Sequence, residues 1–177
     1  MMQLNRRTVL VSLALGLVLV VAFVGFRVRE LVPDTIRAWQ QRDLVHGMAP
    51  PLMERSLEGR RVSLADLRGK PVLLHFWATW CGTCRLEQPS IEAIARDYQV
   101  ITVATDGSDT AALKKYVKSR GIKTTVIGDR SALAARFGVR GVPTDVVVDG
   151  RGQIRSVKLG YSSQWSLRFR LWLAGRD

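Results

Sequence analysis

Phe76-Trp77-Ala78-Thr79-Trp80-Cys81-Gly82-Thr83-Cys84-Arg85 contains the only two cysteines of the 177-residue chain, three positions apart. Just before them, Pro71-Val72-Leu73-Leu74-His75-Phe76-Trp77 reads as a buried strand. Just after them, Ile91, Ile94, Ala95 and Tyr98 recur at i, i+3, i+4 and i+7, the stripe of an amphipathic helix. Cys-x-x-Cys therefore falls where a strand passes into a helix N-terminus. The first backbone N–H groups of a helix lack intrahelical partners, and that end carries partial positive charge. A sulfur placed there gains from both, so its thiolate is stabilised and its pKa falls from about 8.5 toward 7 or below. Spacing of three sets both side chains on one helical face, near enough to close a disulfide. Cys81, at the edge, is expected to be the exposed nucleophile, and Cys84, one turn in and partly covered, the resolving thiol. Arg85 adds a cation that favours a thiolate nearby.

Three less reactive readings compete. A structural disulfide would join distant segments, because closing a two-residue loop constrains the unfolded chain very little. Structural zinc would need four ligands, and the chain offers two cysteines and two widely separated histidines, His46 and His75. Two inert thiols is the third. The strand–Cys-x-x-Cys–helix context favours redox chemistry over all of them.

The segment Phe76 to Cys84 closely resembles the active-site segment of thioredoxin-like proteins. The likeness continues through Glu87 and Pro89, and through Gly138-Val139-Arg140-Gly141-Val142-Pro143-Thr144 downstream. Upstream, Gly59-Arg60-Arg61-Val62-Ser63-Leu64-Ala65-Asp66-Leu67-Arg68-Gly69-Lys70-Pro71 looks like the lead-in of the membrane-anchored TlpA/ResA branch. The tail, Gly160 to Trp165 and Leu171 to Ala174, is most similar to the ScsD group, named for suppression of copper sensitivity. The resemblance spans Leu52 to Ala174. It implies a thioredoxin fold with an N-terminal hairpin extension and a central TlpA-type insertion, preceded by one transmembrane helix.

Thr8 to Phe26 is almost wholly apolar and uncharged. At 1.5 Å per residue it would span roughly 28 Å, close to the thickness of a bilayer's hydrocarbon. A cleavable signal peptide would have a shorter apolar region and end in an Ala-x-Ala-like site, whereas Val-Gly-Phe-Arg follows here. An uncleaved anchor over residues 1–29 is the better reading. Asn5-Arg6-Arg7-Thr8-Val9-Leu10 is also faintly similar to a twin-arginine export signal. Arg27, Arg29, Arg37 and Arg42 lie on the C-terminal side, so the positive-inside rule alone does not put that side outside. The resemblance does: it implies an inner-membrane, single-pass protein with its domain in the periplasm.

Residues 30–51, with Pro33, Gly47, Pro50 and Pro51, read as a linker holding a solvated His46. Residues 52–177 read as the domain. A hairpin over Leu52 to Ser63 turns at Glu58-Gly59, and a helical turn follows at Leu64 to Leu67. After the Cys-x-x-Cys helix come a strand over Val100 to Ala104, a helix over Thr110 to Arg120 and a strand over Thr124 to Ile127. A helix over Ser131 to Phe137 precedes a hairpin, Asp145 to Val148 and Gln153 to Leu159, around Asp149-Gly150-Arg151-Gly152. A helix over Trp165 to Ala174 closes the chain. Strands alternating with helices argue an α/β sheet with antiparallel edge strands.

A net charge of +12 and a pI near 10.8 raise the question of nucleic acid. Its binding would need basic residues clustered with stacking aromatics. Here they are scattered, as in Lys114, Lys115 and Lys118 on one helix and Arg168 and Arg170 on another. A basic domain held at an anionic lipid bilayer is the simpler account.

By resemblance, Pro143 is the family's cis-proline facing the active site, with Val142 clamping an extended substrate; an ordinary trans turn proline is the alternative. Trp80 is read as part substrate-facing, part packed lid. Glu87 matches a family glutamate that would raise thiol pKa values by repulsion, or else is a solvated helix-face acid. His75 stands where thioredoxins carry a buried aspartate. It could take the Cys84 proton, or be a core histidine satisfied by a backbone partner. Thr83 replaces the proline of many relatives and keeps an N–H that could face the Cys81 sulfur.

The resulting expectation is a protein thiol–disulfide oxidoreductase acting as a reductase on periplasmic client proteins, with no cofactor. Electrons would come from a DsbD- or ScsB-like membrane thiol transporter, as the resemblance implies. A cytochrome c maturation reductase, a disulfide-forming oxidase and a copper-binding module are the alternatives; two thiolates can hold Cu(I), but no Met/Cys/His cluster supports a dedicated site.

Overall fold

The computed structural model describes residues 16–23, 45 and 47–176. Residues 16–23 are helical, with Leu17 through Val21 and Phe23 all exposed. Among the described residues no helix is long and apolar enough to cross a membrane. The remainder of the expected anchor, most of the linker and His46 lie outside the described residues.

Residues 47–176 build on a five-stranded sheet. Its strands are β3 (Val72–Trp77), β4 (Gln99–Ala104), β5 (Thr125–Gly128), β6 (Thr144–Val148) and β7 (Ile154–Leu159), in the order β5-β4-β3-β6-β7. β3, β4 and β5 run parallel, while β6 and β7 are antiparallel, as the alternation of elements implied. β1 (Met53–Arg55) and β2 (Arg61–Ser63) form the separate upstream hairpin. Gly47 and Ala49, at the end of the expected linker, already hydrogen-bond to Ile154 and Gly152 at the start of β7.

The central strand sorts its side chains by parity, because successive residues point to opposite faces. Val72, Leu74 and Phe76 enter one core with Ile101, Val103, Leu133 and Phe137. Leu73 and Trp77 point the other way. Leu73 meets Ile91 and Ile94 of α1 (Gly82–Ile94) and Leu167 and Leu171 of α4 (Gln164–Ala174). Trp77 meets Cys84 and Leu113, the latter on α2 (Thr110–Arg120). His75 lies between Leu73 and Trp77 on that second face, buried completely.

The helices begin where the sequence supplies acceptors for their free N–H groups. Asp109 accepts from Ala111 and Ala112 at the start of α2, and Ser163 from Ser166 at the start of α4. Asp129 accepts from Leu133 and Ala134, opening the short α3 (Leu133–Arg136). α2 ends at Gly121 in the left-handed conformation, φ 63°.

Candidate active site

Cys81 is the residue that caps α1, and its Sγ accepts a hydrogen bond from the Cys84 N–H at 3.1 Å. The two sulfurs are bonded as a disulfide, with Cα atoms 5.3 Å apart. The helix N-terminus thus supplies the donor that the sequence argument required. Two expectations need correction. Cys81 is only 4 % exposed, against 3 % for Cys84, because both pack with Leu57, Trp77 and Ala78. The Thr83 N–H makes no bond to the Cys81 sulfur among the described residues; the Cys84 amide takes that place.

The approach to the pair is held from several sides. The Asp106 carboxylate accepts from the Thr79 N–H at 3.0 Å and from its hydroxyl, fixing the segment before Cys81. Trp80 projects into solvent, 71 % exposed, so it is not packed down as a lid over the pair. Val142–Pro143 is a cis peptide bond, and Val142 packs against the cluster that contains both cysteines. Arg85 is exposed on the first turn of α1. Beside Cys84, a recess of about 340 Å³ opens between α1 and α2, walled by Trp77, Pro89 and Tyr116 and rimmed by Arg85 and Arg120.

Beneath Cys84 lies a buried polar cluster. Glu87 follows Cys84 at i+3 and precedes Ile91 at i+4, so it turns inward with them and is completely buried. That excludes the solvated-acid reading. Its Oε1 accepts from the Ser162 N–H at 3.0 Å. His75 is equally buried, and its partner is a side chain rather than backbone: Nδ1 lies 2.9 Å from Oδ1 of Asp145, the residue opposite it on β6. Arg170 of α4 stands 3.8 Å from Asp145 and donates to the Ser162 hydroxyl at 2.8 Å. One ligating atom each from His75, Glu87 and Asp145 lies within 4.8 Å of the others.

Charge in this cluster divides unequally. Burial pushes the Glu87 carboxyl up to about 8, assisted by the Asp145 charge and a hydrogen bond with it, against the Ser162 N–H and Arg170. Burial pushes Asp145 up as well. The hydrogen bond and charge of His75, with Ser162 and Arg170, outweigh it and hold Asp145 below its ordinary value. Asp145 keeps the negative charge and Glu87 keeps a proton at neutral pH. An ionised Asp145 can only accept, so Nδ1 of His75 must carry hydrogen. In the neutral ring Nε2 is then a lone pair, and it has no protein partner among the described residues. An imidazole nitrogen and a protonated carboxyl therefore sit together in one buried cluster, on the sheet face where Trp77 meets the cysteines.

A family model described as AhpC/TSA matches residues 45–157. The chain belongs to the AhpC/TSA family. Among curated relatives, a thioredoxin-like protein of Haemophilus influenzae is 31 % identical over 92 % of this chain and 91 % of its own length. The thiol-disulfide oxidoreductase ResA of Bacillus thuringiensis is 32 % identical over 67 % of this chain and 72 % of its own. Among solved structures, the exposed lipoprotein thioredoxin of Streptococcus pneumoniae superposes with a TM-score of 0.65, at 28 % identity over 70 % of this chain and 99 % of that one. A thioredoxin-family thiol:disulfide interchange protein of Chlorobium tepidum gives 0.64, at 27 % identity, covering 72 % and 95 %. This AhpC/TSA chain has the thioredoxin fold and is a thiol–disulfide oxidoreductase of the thioredoxin/DsbE/ResA type.

Reading the sequence alone missed Asp145, Arg170 and Ser162. Asp145 was legible as an acid at the head of the apolar run Asp145-Val146-Val147-Val148, and Arg170 as a cation directly before buried Leu171. Neither had a visible partner until β6 and α4 were placed beside β3 and α1.

Proposed function

We propose that this protein is a membrane-anchored reductase of protein disulfides in the periplasm, working through Cys81-Gly82-Thr83-Cys84. The observation that carries the exchange chemistry is the Cys81 sulfur capping α1 and accepting the Cys84 N–H. In the reduced state that donor stabilises a thiolate on Cys81. The thiolate attacks one sulfur of a client disulfide, forming a mixed disulfide and releasing the client's other sulfur as a thiolate. Cys84 then gives up its proton and attacks the Cys81 sulfur. The Cys81–Cys84 bond forms, the mixed disulfide breaks, and the second client sulfur leaves. Two electrons pass to the client, and the protons of the protein thiols end on the client thiols, directly or through solvent.

His75 is the group suited to receive the Cys84 proton, through its free Nε2, with Glu87 the acid that returns one. Trp80, Val142 and Pro143 frame the place where a client's extended segment would lie. Arg85 biases the approach electrostatically, and Thr83 shapes the turn between the sulfurs. A DsbD- or ScsB-like transporter is the electron donor in this reading, and membership of the ScsD group, with its link to copper tolerance, is part of the same proposal. It follows the sequence resemblance of the Gly59 to Pro71 lead-in and of the tail.

The test uses the full chain in detergent with insulin as client. Cys81→Ser should abolish turnover, and Cys84→Ser should accumulate a mixed disulfide visible on a non-reducing gel. Unchanged turnover in Cys81→Ser would sink the proposal. A reduction potential above that of common periplasmic disulfides would favour the oxidase direction. A Cu(I) titration showing tight binding without disulfide exchange would favour the copper module.

A further inference from the structure

α4 has two apolar faces, and the fold uses only one. Leu167, Leu171 and Ala174 are buried against Ile91 and Ile94 of α1. Trp165, Phe169, Trp172 and Leu173 recur at i, i+4, i+7 and i+8 on the outside, exposed by 82, 59, 49 and 45 %. They form a continuous stripe: Phe169 and Trp172 stack with ring centroids 6.1 Å apart, and the Arg176 guanidinium lies over the Trp172 ring at 4.5 Å. Basic residues gather around the C-terminal half of the helix. Lys70, Arg96 and Arg176 are exposed, Arg168 pairs with Asp97, and Gly175 lies against Pro71 next to Lys70.

We propose that this outer face of α4 lies on the surface of an anionic lipid bilayer, with the aromatic stripe at headgroup depth and the basic rim on lipid phosphates. The inference deepens, and rests on, the reading of the chain as a membrane protein. Tryptophan pairs an apolar body with one N–H donor, and tryptophan with phenylalanine beside arginine and lysine is the chemistry of interfacial helices. A second copy of the chain fits less well. The four exposed side chains present roughly 500 Å², below the ≈ 800 Å² that each partner of a stable complex usually buries. Their rim also carries a net positive charge, with Lys70, Arg96, Arg168 and Arg176 against Asp97, so two such faces repel. An anionic surface reverses that sign.

The arrangement fixes how the domain would lie. α4 runs from Ser162–Ser163, which meets Glu87 beneath the cysteines, to Gly175 at Pro71, just before β3 starts. It therefore runs from the active-site helix back toward the start of β3. Laid on a bilayer, it would hold the domain beside the lipid surface, where partners in the same membrane can meet it.

The experiment reconstitutes the full chain in nanodiscs whose lipids carry brominated acyl chains, which quench nearby tryptophan. The parent is compared with W165F/W172F, in discs with and without phosphatidylglycerol; the other three tryptophans are common to both proteins. Elution with the discs reads the apolar N-terminal run, whereas the parent-minus-variant quenching reads α4. The expected result is at least two-fold greater quenching of the Trp165/Trp172 signal in phosphatidylglycerol discs than in phosphatidylcholine discs. A W165E/F169E variant, with insulin reduction intact, should lose that excess at its remaining Trp172. Elution with discs but no excess quenching overturns the proposal and leaves the anchor standing. Elution free of discs overturns both. A dimer in sedimentation that dissociates in W165E/F169E assigns the face to a second copy and overturns it too.

Discussion

Glu87 ties the acidity of the medium to the folded state. Its carboxyl is pushed up to about 8 from 4.5 by burial and by Asp145. Between these values the folded protein holds a proton that the unfolded chain has released, so stability falls as pH rises through that window. Glu87→Gln keeps an acceptor for the Ser162 N–H and supplies a donor toward Asp145 without a charge. We expect denaturation curves of variant and parent to coincide near pH 4 and to diverge above pH 5. By pH 8.5 the variant should be more stable by on the order of 2 kcal/mol; parallel pH dependences would contradict the burial argument. His75 makes a kinetic prediction. With Nδ1 committed to Asp145, Nε2 is the only basic atom of the ring. His75→Ala should slow resolution by Cys84 roughly 10²-fold while leaving the first attack by Cys81 nearly unchanged, as read by stopped-flow mixing with a fluorescent disulfide peptide. Equal slowing of both steps would assign His75 to the core alone.

At the scale of elements, the turn after β4 lies so close against Gly128, the last residue of β5, that no side chain fits. A Cβ on Gly128 would sit 2.3 Å from the Gly107 carbonyl oxygen, and one on Gly107 would sit 2.8 Å from the Gly128 Cα. Gly128→Ala should cost about 1–3 kcal/mol in urea denaturation, and a neutral result would mean that the turn at Thr105–Gly107 moves freely. The elements most legible in the sequence were those with one unambiguous period. β3 was an apolar run broken only by His75, and the stripe from Ile91 to Tyr98 marked the C-terminal end of α1 and the turns after it. The hairpin around Asp149 was legible because its turn chemistry is local: the Asp149 carboxylate accepts from Arg151 and Gln153. Helix boundaries near Ser131 were less so, since α3 is capped by Asp129 and is only four residues long. The site divided in the same way. Cys81 and Cys84 follow from neighbours in sequence, and the cis bond at Pro143 from the family resemblance of Gly138 to Thr144. The depth of Cys81 depends on Leu57 from the upstream hairpin region, and the partners of His75 and Glu87 lie 70 or more positions away, which no local pattern reports.

For the molecule as a whole, the charge of +12 is the dominant long-range term. Like charges spread over a small domain repel, and the compact state bears more of that repulsion than the expanded chain. Salt shortens its reach to about 10 Å at 0.1 M. Thermal unfolding in zwitterionic detergent should therefore shift upward by several degrees between low and physiological ionic strength; a downward shift would mean that attractive pairs such as Arg168–Asp97 outweigh the excess. The nearly complete cover over both sulfurs has a last consequence. An attacking sulfur, whether on a small thiol or on a protein, reaches the Cys81 atom only along the narrow opening its neighbours leave. The angle at which a partner can present its own sulfur is therefore set by the packing around the pair.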